Sequence, residues 1–156
     1  MLNRKDKLQI IRQVAKHQNL PYFAIEKDWW GVQTLDIIFS QLEFSKHLLF
    51  KGGTSLSKAW HLFNRFSEDI DLALNREYLS FNGGLISKSQ VKKLREKSFE
   101  FVTTTFYKSL QKAFAEKGCK DINFDFENLG DGDQDPVSIL IYYPAIVEHS
   151  EYVRKV

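Results

Sequence analysis

Apolar residues recur at helical spacing in residues 5–17, where Leu8, Ile11, Val14 and Ala15 stand among Lys and Gln. Asn19-Leu20-Pro21 breaks that pattern. A longer helix is predicted over 23–43, with Ile25, Trp29, Val32, Leu35 and Phe39 on one stripe. Glu26 and Asp28 sit near its start, where the helix dipole favours negative charge. His47-Leu48-Leu49-Phe50 is a short apolar run ended by Gly52-Gly53, which predicts a buried strand. Ser55 to Phe63 reads as a short helix.

Asp69 to Leu74 alternates, which predicts a strand with Asp69, Asp71 and Ala73 on one face and Ile70, Leu72 and Leu74 on the other. Residues 76–86 read as a loop. A long helix is predicted from Ser89 to Lys117, with Ser87 or Ser89 as N-cap and Gly118 as its stop. Strands follow at Ile122–Phe126 and Val137–Tyr143, separated by a turn-rich acidic loop. The last residues, 151–156, read as the opening of a further strand, so residues 1–156 are expected to form one domain at the N-terminal end of a longer protein. The predicted fold is α/β: a small mixed sheet carries the glycine turn and the two-aspartate strand, with helices flanking it.

Composition narrows the function classes. A hydrophobic content of 43% with 27% charged residues describes a soluble, globular chain. The net charge of +2 imposes no field that demands nucleic acid. Cys119 is the single cysteine, so neither a disulfide framework nor a cysteine-built zinc site is available. No apolar run is long enough to span a membrane, and the N-terminal residues lack a secretory apolar region. A cytoplasmic location is the expectation.

The chemistry concentrates between Lys51 and Leu72. Nucleotidyl transfer brings an attacking oxygen to a phosphorus already crowded by negative charge, and two metal ions about 3.5–4 Å apart can stabilise both attacking and leaving oxygens. Magnesium takes oxygen ligands, so carboxylates must converge on it. Asp69 and Asp71, two apart on a strand, would stand about 6–7 Å apart at the backbone and point the same way. A solvated strand face is the plain alternative for such a pair. Gly52 and Gly53 leave the backbone bare at the strand end, and Thr54 and Ser55 open a helix whose free N–H groups can hold an anion. Lys58 and Arg65 are placed to contact phosphate oxygens, while Ser67 serves equally as a brace at the strand entrance. Neither a Walker loop nor a dinucleotide fingerprint is present.

Taken in order, Lys51-Gly52-Gly53-Thr54-Ser55-Leu56-Ser57-Lys58 and Arg65-Phe66-Ser67-Glu68-Asp69-Ile70-Asp71-Leu72 resemble the AbiEii/AbiGii-type toxin family of nucleotidyltransferases. These are the toxin halves of bacterial type IV toxin–antitoxin and phage-abortive systems, within the polymerase-beta-like superfamily. Ile25-Glu26-Lys27-Asp28-Trp29-Trp30 resembles the family's N-terminal helix. The resemblance covers Tyr22 to Leu74 well and the rest loosely. It implies that Gly53 and Ser55 hold a triphosphate tail, that Asp69 and Asp71 bind Mg2+, and that NTP is a substrate. It further implies an acceptor that is RNA, such as a tRNA end, or a protein, together with a cognate antitoxin. A third carboxylate in this superfamily comes from a later strand. Here Tyr152-Val153-Arg154 is followed only by Lys155 and Val156, so that carboxylate is expected beyond the sequence. Two other readings fit the same residues: a non-catalytic nucleotide-binding or interaction module, and nucleotidyl transfer to a small-molecule antibiotic.

Other groups carry plainer readings. Lys88, Lys92, Lys93, Arg95 and Lys97 form the wet face of a helix in preference to an RNA track. The acidic run Asp131–Asp135 is not a calcium loop, because Pro136 and Tyr142 occupy positions where glycine and a bidentate glutamate are needed. The four histidines are scattered and offer no zinc pair. Trp29, Trp30 and Trp60 read as core, and Cys119 as a small buried hydrophobe.

Overall fold

The computed structural model describes residues 3–53, 69–84, 87–119, 121–127, 129–130, 132–133 and 135–147. Helix α1 spans Arg4–Gln18. The Asn3 side chain accepts the Asp6 backbone N–H at 2.9 Å, satisfying one of the free donors at the helix start. Asn19 ends the helix in the left-handed region, and Ile11 and Ala15 face inward as their spacing predicts. Helix α2 spans Tyr22–Gln41.

The buried face of α2 is not the predicted stripe. Val32 and Phe39 are exposed, while Ala24, Trp30, Thr34, Ile37 and Ile38 are buried. The helix carries apolar residues around most of its circumference, so periodicity does not select a side. Packing selects it instead: Trp30, Ile37 and Ile38 join the core formed with the later helix and strands. Glu26 departs from its predicted role as well. It is 2% exposed, and its carboxylate accepts the backbone N–H groups of Ile146 at 2.5 Å and Val147 at 3.1 Å. It ties down a distant segment, and its partners are backbone donors and not simply the dipole of its own helix.

Strand β1 covers Leu48–Lys51 and pairs antiparallel with β2, Asp71–Leu74. The register sets Leu48 opposite Leu74, Leu49 opposite Ala73, Phe50 opposite Leu72 and Lys51 opposite Asp71. Leu48, Leu72 and Leu74 pack against the core, so Leu49, Lys51, Asp71 and Ala73 occupy the outer face. After β2 the chain makes a 3-10 turn at Arg76–Leu79 where a loop was predicted. Asn75 nucleates it by accepting the Glu77 N–H through its side chain.

Helix α3, Lys88–Phe101, runs through a π-helical segment at Val102–Phe106 into helix α4, Tyr107–Glu116. Ser87 and Gln90 form a capping box at its start. Gly118, with φ of +73°, ends it, and Cys119 N–H returns to Phe114 C=O. The π turn has a packing consequence. It brings Phe101 and Phe106 onto one side, where both meet Phe44 at ring distances of 5.0 and 5.6 Å. Strands β3, Asn123–Glu127, and β4, Ser138–Tyr142, form a second antiparallel pair. The fold is therefore α/β, with helices packed on small sheets; among the described residues the strands divide into two antiparallel pairs. The predicted helix at Ser55–Phe63, Trp60, and the predicted strand start at 151–156 lie outside the described residues.

Candidate functional site

The strand end at Lys51 leads directly into Gly52, whose φ is +79°. That conformation favours glycine. A second constraint acts at the same atom. A Cβ on Gly52 would fall into the Asp71 carboxylate, 2.9 Å from its carboxyl carbon and 3.1 Å from its Cβ. The register explains this closeness: Asp71 pairs with Lys51, so its side chain stands over the first residue after β1. The glycine corner and one acidic side chain thus share a surface, and Asp71 is exposed there.

Asp69 is exposed too, but the ladder starts at Asp71, so Asp69 lies just ahead of the paired strand. Gly53 is exposed, with open space around its Cβ position. The structure therefore brings Gly52, Lys51 and Asp71 together. Thr54, Ser55, Lys58, Arg65 and Ser67 lie outside the described residues. Among the described residues no three His, Cys, Asp or Glu side chains converge as a metal site.

The donor set suits a hard cation. Asp69 and Asp71 offer oxygen ligands only. Carboxylate oxygens are the ligand type that magnesium takes.

Residues 33–153 match the family model for the AbiEii toxin, a nucleotidyl transferase of type IV toxin–antitoxin systems. The chain belongs to the AbiEii nucleotidyl transferase toxin family. Its glycine corner and Asp71 both lie inside the matched span. AbiEii membership implies a cognate antitoxin as partner. No curated protein and no solved structure matches the chain. Among the described residues no helix of this AbiEii member is long and apolar enough to cross a membrane.

The supporting structure holds features that composition did not announce. Tyr143 stacks on Trp30 at 5.3 Å, and the Lys7 ammonium lies 4.4 Å from the Trp29 ring centroid. Asp36 of α2 pairs with Lys117 at the end of α4. Glu26 gave no sequence signal that sets it apart from Asp28 and Asp36 on the same helix, because its partners are far along the chain. The basic run of α3 behaves as a solvated face: Lys92 pairs loosely with Glu96 at 3.9 Å with both side chains exposed. A shallow groove at the α1–α2 turn, lined by Arg12, Lys16, Pro21 and Tyr22, contains none of the predicted site residues.

Proposed function

We propose that this chain is a magnesium-dependent nucleotidyltransferase that moves a nucleoside monophosphate from an NTP to an acceptor hydroxyl on an RNA end or a protein. The acceptor oxygen bonds to the α-phosphorus, the bond from that phosphorus to the bridging oxygen breaks, and pyrophosphate leaves. The observation that carries this reading is the seating of the Asp71 carboxylate on the Gly52 backbone, within the span that matches the toxin family.

Asp69 and Asp71 are the residues that would hold magnesium. When bound, the ion would neutralise charge on the phosphate oxygens. Gly52 and Gly53 let the phosphates approach the main chain, and Thr54, Ser55, Lys58 and Arg65 are assigned to the triphosphate by their sequence positions. Catalysis in this scheme is mainly positioning and electrostatic stabilisation.

The test is incubation of the protein with each labelled NTP, Mg2+, total RNA and total protein, with aminoglycosides and other hydroxyl-bearing antibiotics as separate acceptors. Label transferred to RNA or protein, and lost in Asp71→Asn, supports the reading. Label found only on a small molecule redirects the acceptor. Metal-independent nucleotide binding without transfer replaces the enzyme by a binding module.

A further inference from the structure

We propose that the outer face of the β1–β2 pair is the surface under the nucleoside of the substrate triphosphate, with Leu49 as the side chain against which the base lies. This rests on the nucleotidyltransferase reading above. Leu49 is 66% exposed, the most exposed of the large hydrophobic residues among those described. A lone exposed leucine is ordinary on a protein surface. This one is singled out by register. It stands opposite Ala73, while the next outward-facing pair is Lys51 and Asp71. Diagonal neighbours on one face of an antiparallel pair are about 7–8 Å apart, which sets Leu49 one rung from the Asp71 carboxylate.

The face therefore changes character in a fixed order. At one end is the exposed Gly52-Gly53 corner, with the Asp71 carboxylate against Gly52, then the charged rung of Lys51 and Asp71, then the aliphatic rung of Leu49 and Ala73. A nucleoside triphosphate has the same order of chemistry: anionic phosphates, a polar sugar, and a flat base with apolar faces. Phosphates placed at the glycine corner set the base over Leu49 and Ala73. Alanine keeps that rung low, so a planar ring can lie across it. Every base has such a face, so this contact adds affinity for nucleoside triphosphates in general and discriminates little among them.

The experiment compares binding of Mg-ATP with binding of magnesium and inorganic tripolyphosphate, by calorimetry, to the full chain and to Leu49→Ser and Leu49→Phe. Leu49 is exposed, so both variants are expected to melt as the wild type does. Leu49→Ser is expected to weaken Mg-ATP about tenfold and leave tripolyphosphate unchanged, and Leu49→Phe to bind Mg-ATP at least as tightly as the wild type. Equal weakening of both ligands, or an unchanged Mg-ATP affinity in Leu49→Ser, overturns the inference while leaving the nucleotidyltransferase reading intact. Wild-type protein that binds neither ligand overturns both.

Discussion

The carboxylate of Asp71 occupies the space where any side chain on residue 52 would begin. Gly52 also holds a φ of +79°, so replacement meets two penalties at one atom. Gly52→Ala is expected to lower stability by about 1–3 kcal/mol, from the strained backbone and the displaced carboxylate. Urea unfolding reads the first effect. Loss of Mg2+-dependent NTP binding reads the second, and a variant that binds NTP normally would separate the corner from the site.

Asp69→Asn and Asp71→Asn should behave unlike that glycine variant. Both side chains are exposed, so their melting temperatures should stay close to wild type. Nucleotidyl transfer should fall by two orders of magnitude or more, on the order of the loss seen when a group that stabilises transition-state charge is removed. Chelation of Mg2+ should abolish transfer by the wild type. Transfer that persists in both variants would exclude the pair from metal binding.

Glu26→Gln tests the link between α2 and the segment after β4. The amide keeps one acceptor but turns an NH2 toward a backbone N–H, in a site that is 2% exposed. The expected cost is about 2 kcal/mol, in the range for hydrogen bonds to a charged group. Hydrogen exchange should show Ile146 and Val147 losing protection first.

Cys119 gives a pH-dependent readout. Burial pushes its thiol above the ordinary value, and Lys117 and Lys7 offset only part of that. The unfolded chain therefore releases this proton before the folded one does. In the window from the ordinary thiol pKa up to the raised folded value, the folded state binds more protons, so stability falls as pH rises. Below that window the residue adds no pH dependence. Alkylation by iodoacetamide should be slower than for a free thiol and should need higher pH; a reaction rate equal to that of unfolded protein would show Cys119 to be accessible.

Ser87→Ala should remove the capping box at the start of α3 and cost about 1 kcal/mol. The residue is exposed, so no cavity contributes, and thermal unfolding measures the cap alone.

Much of the architecture was legible because local chemistry decided it. Asn19, Ser87 and Gly118 mark helix ends through cap geometry that short-range sequence encodes. The strand ending at Gly52 and the alternating strand beyond it were readable from their residue patterns, and the ladder sets Gly52 beside Asp71. What was not legible depended on distant packing. The inward face of α2 is chosen by Phe44, Phe106 and Tyr143, none of which the helix itself announces. The π turn is invisible to periodicity, since its benefit is the joint contact of Phe101 and Phe106 with Phe44. The ladder begins two residues later than the alternation suggested, because alternation cannot tell an extended residue from a paired one.

The Glu26 clamp also dictates an order of events. Its hydrogen bonds span 120 and 121 positions. On the ribosome, α2 emerges with this carboxylate still hydrated, and it stays so until residues 146 and 147 have been released. Settling of α2 into its final environment must therefore wait for nearly all of the described polypeptide.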